Sequence, residues 1–171
     1  MTRIFLISDH HFGHSNIVHK FDPSRPFVNI HEHDEALVSN HNSVVRPEDH
    51  VYFLGDVVIN RRMLPIVTRL NGKKRLVRGN HDIFKTKEYI DVGFEEIYGV
   101  RVFQPNTQQN KTGFILSHIP LHPDHLIRGY KNVHGHLHFN RVMRGPIPDD
   151  RYISVCCEHV NYTPVLLESL R

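Results

Sequence analysis

Five short apolar runs in this sequence are each followed within a few residues by Asp, Asn or His. The first polar residues of interest after these runs are Asp9, Asp56, Asn80, His118 and His136. Continuous apolar runs with little polar alternation predict strands that are covered on both faces. In α/β sheets, ligands bind outside the carboxyl ends of the strands. The sequence therefore predicts an α/β fold whose strand ends bring these polar side chains into one cleft.

Strands are predicted at six apolar, β-branched runs, with stretches of helical character between them. The six runs are 4–7, 51–54, 75–77, 100–103, 114–116 and 152–155. The later runs have a hairpin-like arrangement, which argues against a purely parallel sheet. Residues 19–29, which contain two prolines, are predicted to form a long loop, and loops of this length inside a compact domain are often functional.

Three segments predict helices. The clearest covers 30–45, where apolar residues recur at helical period and Asn29 with Glu32 has the spacing of a capping box. A second helix is predicted over 62–70, although it contains a proline. A short third helix is predicted to begin at Thr163, because a threonine followed by proline is typical of a helix start.

Length and composition restrict the class of protein. The chain has 171 residues, the size of one ordinary domain, so we expect a single domain over 1–171. Its net charge is only +3, which gives no strong signature of nucleic-acid binding. The two cysteines, Cys156 and Cys157, are adjacent and favour a reducing compartment. No apolar run is long enough for a signal peptide or a membrane span, so we expect a cytoplasmic protein without membrane contact. The oligomeric state stays open.

Histidine is unusually frequent, with 16 residues in the chain. Such enrichment favours metal binding, and a mixture of imidazole and oxygen ligands suits Mn, Fe, Ni or Zn. Seven residues near the strand ends are candidate ligands: Asp9, His11, Asp56, Asn80, His118, His136 and His138. This set is too rich for one ion and is sufficient for two ions that share a bridging carboxylate.

The motifs that contain these residues resemble those of the calcineurin-like metallophosphoesterases. They are Asp-x-His, Gly-Asp, Gly-Asn-His-Asp, a lone His and Gly-His-x-His, and they occur in the family's order from residue 9 to 138. The opening Asp-His-His-Phe-Gly-His resembles a small bacterial and phage-encoded branch. The resemblance implies a four-layer α/β/β/α sandwich of two mixed sheets flanked by helices.

The resemblance also implies a role for each motif residue. The first ion is implied to bind Asp9, His11 and His138. The carboxylate of Asp56 is implied to bridge both ions, and the second ion is completed by Asn80, His118 and His136. His81 is implied to be the general acid beside the leaving-group oxygen. The residues implied to contact the substrate are His14, Asn16, Asn80 and His81.

The implied reaction is hydrolysis of a phosphoester by in-line attack of a metal-bridging hydroxide. Two divalent ions, the carboxylates of Asp9 and Asp56, and one hydroxide leave a net charge of about +1, which attracts phosphate. So short a chain leaves little room for a capping domain, and an open cleft suits a small phosphodiester or nucleotide-type substrate, so we expect a phosphodiesterase. We expect it to use two divalent ions, of which Mn is favoured. The alternatives are a phosphomonoesterase or a nuclease at the same site, and a non-catalytic interaction module.

Other polar residues near the motifs are expected to have structural roles. His10 and His134 should point away from the metal site, because neighbouring side chains of an extended segment alternate sides. His41 is expected to be a core histidine with a hydrogen-bond partner. Asp82 is expected either to orient His81 or to cap a helix, and the two cysteines are expected to have no metal role.

Overall fold

The structure, a computed structural model, describes residues 2–21, 25–104, 112–127 and 129–170. Eleven strands occur in these residues: β1 Ile4–Ile7, β2 His50–Phe53, β3 Lys73–Val77, β4 Phe94–Tyr98, β5 Arg101–Phe103, β6 Gly113–Leu116, β7 Tyr130–His134, β8 Met143–Arg144, β9 Ile147–Pro148, β10 Tyr152–Ser154 and β11 Val165–Leu166. The two α-helices in these residues are α1 Ile30–Val44 and α2 Thr86–Asp91. The other helical segments are of the π type at Ile17–Phe21 and of the 3₁₀ type at Arg61–Arg69, Pro123–His125, Cys157–His159 and Leu167–Leu170.

Two mixed sheets form the centre of the fold. The first has the strand order β11-β1-β2-β3-β4, in which β11 is antiparallel to β1 and the other neighbours are parallel. The second has the order β10-β7-β6-β5, with only β5 antiparallel to its neighbour. The expected α/β class with two mixed sheets is therefore confirmed.

The strands β1 and β2 of the first sheet are buried on both faces, and the continuous apolar run of β1 is typical of such a strand. Alternate residues of a strand point to opposite faces. Phe5 and Ile7 of β1 therefore lie in a cluster with α1 and α2, whereas Leu6 packs between the sheets with Phe114 and Val133 of the second sheet. Both α-helices pack in the hydrophobic cluster that contains Phe5 and Ile7. No α-helix in the described ranges packs in the hydrophobic cluster between the sheets.

The predicted helix at 30–45 is present as α1, one residue shorter. Asn29 caps it, because its side-chain oxygen accepts a hydrogen bond from the backbone N–H of Glu32 at 2.9 Å. The Glu32 carboxylate in turn accepts from the N–H of Val28. His41 is buried on the inner face and its Nε2 contacts the carbonyl of Asn71 at 2.9 Å, as expected for a core histidine.

Two helix predictions differ from the structure. The segment at 62–70 is a 3₁₀ helix, Arg61–Arg69, and Pro65 inside it lacks the N–H that an α-helix would need there. The helix predicted after Thr163 is wrong. The chain instead forms β11, in which Leu166 pairs with Phe5 of β1, and only then makes a 3₁₀ turn. Pairing with an edge of the sheet outweighs the local helix-start signal.

No helix in the described parts of the chain has the length and apolar character needed to cross a bilayer. The loop predicted at 19–29 begins with a helical turn, Ile17–Phe21, and residues 22–24 lie outside the described residues. The expected single domain and cytoplasmic location stay predictions.

Candidate metal centre

The carboxyl ends of five strands meet between the two sheets. In the first sheet, the chain leaves β1, β2 and β3 toward Asp9, Asp56 and Asn80. In the second, β6 and β7 lead to His118 and His136. These strands are parallel neighbours within each sheet, so their carboxyl ends share an edge. The convergence predicted from the sequence is present.

One side-chain group that could hold a metal ion consists of Asp9, His11 and His138, which we call the first cluster. Oδ1 of Asp9 lies 3.8 Å from Nε2 of His11 and 3.9 Å from Nε2 of His138. The two imidazole rings are stacked, with their centroids 5.1 Å apart. Three donor atoms therefore face one point from strand ends in both sheets.

A second such group consists of Asp56, His118 and His136, which we call the second cluster. Nε2 of His118 lies 3.3 Å from Oδ2 of Asp56 and 3.3 Å from Nδ1 of His136. Oδ1 of Asn80 is 2.9 Å from the same His118 nitrogen, so the amide oxygen adjoins this cluster.

Asp56 of the second cluster also contacts the first cluster. Its Oδ2 is 3.8 Å from Nε2 of His11 and 3.3 Å from Nε2 of His118. Its other oxygen, Oδ1, accepts a hydrogen bond from the backbone N–H of His81 at 2.9 Å. One oxygen of a single carboxylate thus faces imidazoles of both clusters.

The distances between the donor atoms suit a shared metal ion better than direct hydrogen bonds between the side chains. Ligand atoms about 2.1 Å from one ion lie roughly 3–3.5 Å apart, close to the spacings seen here. Oδ1 of Asp9 and Nε2 of His11 are buried without a hydrogen-bond partner among the described residues. Buried polar groups are normally hydrogen-bonded, so these atoms need another partner. Both clusters therefore suit a divalent metal ion.

The backbone is strained where it carries these side chains. Seven non-glycine residues in the described ranges have positive φ, and five of them belong to the clusters: Asp9, His11, Asp56, His136 and His138, with φ from +51° to +70°. Such conformations cost roughly 1–3 kcal/mol each and occur mainly at functional sites. The strain turns the donor atoms inward at successive strand ends.

Two glycines allow the close approach of neighbouring loops. A Cβ at Gly79 would lie 2.2 Å from Oδ1 of Asp56, and one at Gly135 would lie 2.4 Å from Oδ2 of Asp9. Side chains at these positions would displace the carboxylates. The glycines of the Gly-Asn-His-Asp and Gly-His-x-His motifs are therefore required by packing against the clusters.

Charge within the clusters shifts the ordinary protonation equilibria. Although burial opposes it, the neighbouring imidazoles hold the pKa of Asp9 well below its ordinary value. Burial likewise opposes the effect at His118, where Asp56 and Asp9 raise the pKa to about 9. Both carboxylates are therefore ionised at neutral pH, and a metal ion that binds at His118 must displace a proton.

Of the remaining sequence-predicted residues, His81 and His14 lie beside the first cluster. His81 is exposed, and its ring centroid is 5.7 Å from that of His11. His14 is partly exposed, with its ring 5.9 Å from His11. Asn16 is exposed just before the turn Ile17–Phe21. A cavity of about 230 Å³ lies beside His118, lined among others by Arg78 and Ile119.

Asp82 has neither of the two roles expected from the sequence. It is buried, and its carboxylate accepts hydrogen bonds from the backbone N–H groups of Asp56, Val57 and Gly79 at 2.7, 3.2 and 2.8 Å. Burial raises the pKa of this carboxyl group. Asp82 therefore joins the loops after β2 and β3 and fixes the main chain of Asp56.

Sequence reasoning missed three further residues that contact the clusters. The Cys156 thiol donates to Oδ2 of Asp9 at 3.2 Å, a contact with a candidate ligand that the expectation of no metal role for this residue did not include. Glu158 contacts Nδ1 of His138, and Arg25 contacts Glu158. His10 is buried against Phe12 and Phe53, on the side away from the clusters as expected.

The fold and site define an α/β protein with two adjacent Asp/His groups at converging strand ends. No protein-family model matches the chain. The uncharacterized protein MJ1445 of Methanocaldococcus jannaschii is 36% identical over 174 residues, which cover 98% of this chain and 89% of that protein. The chain belongs to the same protein family as MJ1445. The gene 66 protein of Mycobacterium phage D29 is 28% identical, over 91% of this chain and 87% of the phage protein.

One solved structure shares this architecture. A protein of unknown function from Aquifex aeolicus, AQ665, superposes with a TM-score of 0.68 at 26% identity, covering 99% of this chain and 98% of that one. Two others superpose less closely. An archaeal phosphodiesterase superposes with a TM-score of 0.47 at 17% identity, covering 91% of this chain and 82% of that one. The Pseudomonas putida nuclease MPE superposes with a TM-score of 0.48 at 21% identity, covering 85% of this chain and 66% of that one.

Proposed function

We propose that this protein is a dinuclear metal-dependent phosphoesterase of the metallophosphoesterase type. The observation that carries the proposal is the position of Asp56 Oδ2, which faces imidazoles of both clusters. A carboxylate in that position suits a bridge between two cations. When bound, a pair of divalent ions would act as Lewis acids on the phosphoryl group and lower the pKa of water toward neutrality.

Each residue has an assigned role in this proposal. Asp9, His11 and His138 would hold a first ion, Asn80, His118 and His136 would hold a second, and Asp56 would be shared. The mixed imidazole and oxygen donors suit Mn, Fe, Ni or Zn, of which we favour Mn. Asp82 and the N–H of His81 fix Asp56, so the shared carboxylate keeps its orientation when substrate enters.

His81 is the proposed general acid. Its side chain is exposed, its ring centroid is 5.7 Å from that of His11, and its backbone N–H donates to Asp56, which supports a role beside the shared carboxylate rather than as a ligand. A protonated imidazole can donate a proton to a departing alkoxide, which is worth roughly 10²–10⁴-fold in rate. His14, Asn16 and Asn80 are proposed to contact the substrate phosphate.

The proposed substrate is a small phosphodiester or nucleotide-type phosphoester. Asn80 and His81 are exposed, and the cavity of about 230 Å³ adjoins His118, so a substituent on either side of phosphorus has space. A phosphomonoesterase or a nuclease would use the same residues. A non-catalytic module would have no need of five left-handed residues that orient donor atoms.

Turnover of two chromogenic substrates tests the proposal. The Mn²⁺-loaded protein should hydrolyse bis-p-nitrophenyl phosphate faster than p-nitrophenyl phosphate. Faster hydrolysis of the monoester would replace the diesterase by a monoesterase. Cleavage of single- or double-stranded DNA or RNA would favour a nuclease, and no hydrolysis of any of these would favour the interaction module.

A further inference from the structure

A buried ion pair lies behind the first cluster. The side chains of Arg25 and Glu158 are 0% and 4% exposed. Nε of the guanidinium donates to Oε1 of Glu158 at 2.8 Å, and Nη2 lies 2.6 Å from the same oxygen. The same carboxylate oxygen lies 3.1 Å from Nδ1 of His138. One oxygen therefore joins the buried cation to an imidazole whose other nitrogen, Nε2, faces Asp9.

Arg25 also holds the main chain of the first motif. Its Nη2 donates to the carbonyl of Asp9 at 2.6 Å and its Nη1 to the carbonyl of His10 at 3.1 Å. Nη1 is also 2.7 Å from Nε2 of His33. A single guanidinium thus fixes the backbone that carries Asp9 and, through Glu158, the ring of His138, although these ligands are 129 positions apart in the sequence.

The support behind the second cluster is different in kind. Nδ1 of His118 contacts the carbonyl of Leu54 at 2.8 Å, which is a neutral acceptor. Asn80, the neutral donor of this cluster, is exposed, and His136 is partly exposed. Each cluster has two buried members, Asp9 and His11 in the first and Asp56 and His118 in the second, so the difference is the carboxylate behind His138.

When the ring nitrogen of an imidazole that does not bind the metal donates a hydrogen bond to a carboxylate, the tautomer is fixed. The other ring nitrogen, which binds the metal, then becomes a stronger ligand. A buried carboxylate is costly without a partner, and Arg25 supplies that partner. The charged pair therefore acts on the first cluster alone, since the second contacts a neutral carbonyl.

We infer that Arg25 and Glu158 are positioning residues that make the first cluster the tighter of two metal sites, so that it fills first and the second cluster exchanges its ion more readily. This inference rests on the proposed function, because it takes both clusters to be metal sites.

Calorimetric titration of metal-stripped protein with Mn²⁺ tests the inference. The wild-type protein should take up two ions in two resolved steps. Glu158→Gln should weaken the tighter step by roughly 10–100-fold and leave the weaker step unchanged. Asn80→Ala should weaken only the weaker step. Glu35→Gln, which removes the carboxylate of an exposed pair with Arg69, is the matched control and should change neither.

Circular dichroism of each variant checks that it is folded. Should Glu158→Gln fail to fold, Arg25→Lys keeps the positive charge but loses the planar fork, and it carries the same prediction. Equal weakening of both steps, or no change in the tighter one, would overturn the inference while leaving two metal sites in place. A wild-type protein that takes up no Mn²⁺ would overturn the proposed function and this inference with it.

Discussion

The backbone N–H of His81 donates a hydrogen bond to Oδ1 of Asp56 at 2.9 Å. The residue proposed to donate a proton is thereby tied to the residue proposed to bridge two ions. Because Oδ1 is occupied by this contact, Oδ2 is the atom that faces His11 and His118. Metal binding and proton donation are therefore linked through one carboxylate, yet substitution can separate them.

Replacing Asp56 by Asn should abolish uptake of both ions together with activity. An amide at this position loses the negative charge that would offset two adjacent cations. The change is measured as Mn content by inductively coupled plasma mass spectrometry and as turnover of bis-p-nitrophenyl phosphate. Asp91→Asn makes the same chemical change at an exposed pair with Lys87 and should alter neither. Full metal content in Asp56→Asn would exclude a bridging role.

Replacing His81 by Ala should preserve metal content and slow the hydrolysis of diesters with alkyl leaving groups by roughly 10²–10⁴-fold. The loss should be smaller for p-nitrophenyl esters, because p-nitrophenolate departs without needing a proton. Rates on the two classes of ester, measured on the same metal-loaded preparations, give the comparison. An equal loss on both would assign His81 to binding rather than to proton donation.

A methyl group at residue 79 should displace the shared carboxylate. The added Cβ of Gly79→Ala would lie 2.2 Å from Oδ1 and 2.6 Å from the backbone nitrogen of Asp56. Overpacking of this kind costs about 1–3 kcal/mol, and here it should also weaken Mn²⁺ binding. Gly99→Ala is the matched control, since nothing lies within 4 Å of its added Cβ. Urea unfolding and Mn²⁺ titration should separate the two variants, and identical behaviour would contradict the geometry.

The parts of the site that could be predicted are those with a local signal. A buried parallel strand is a continuous apolar run, and its carboxyl end shows where a ligand residue lies, so the positions of Asp9, Asp56 and His118 follow from the chain itself. Arg25, Glu158 and Cys156 carry no such signal. The contacts of Arg25 with Glu158 and of Cys156 with Asp9 join residues more than 100 positions apart, and only tertiary packing brings these residues together.

Asp82 illustrates a second limit. Its neighbour His81 suggested a contact between the two side chains, whereas the carboxylate turns inward to backbone N–H groups after β2 and β3. Those groups are left unpaired by the close approach of the loops, and an unpaired buried N–H is costly. The requirement arises only once the sheet has formed, so sequence spacing does not reveal it.

Buried histidine outside the metal centre should make the protein sensitive to acid. Burial of His41 lowers its pKa from 6.5 to about 4. Between these pH values the unfolded chain takes up a proton that the folded protein excludes, so stability falls as pH falls. The expected slope from this residue approaches about 1.4 kcal/mol per pH unit.

Urea unfolding of metal-stripped protein at pH 7 and pH 5 measures this contribution. His41→Gln keeps a donor for the carbonyl of Asn71 and should lose less free energy of unfolding over this interval than the wild type. His31→Gln alters an exposed histidine of the same helix and should behave as the wild type. Parallel losses in all three proteins would contradict the assignment to His41.

The most direct test of the central claim is the anomalous scattering of a crystal grown with Mn²⁺. Two peaks are predicted per chain, one among Asp9, His11 and His138 and one among Asn80, His118 and His136. They should be roughly 3.5–4 Å apart, with Asp56 between them. A single peak, or peaks remote from Asp56, would contradict the account.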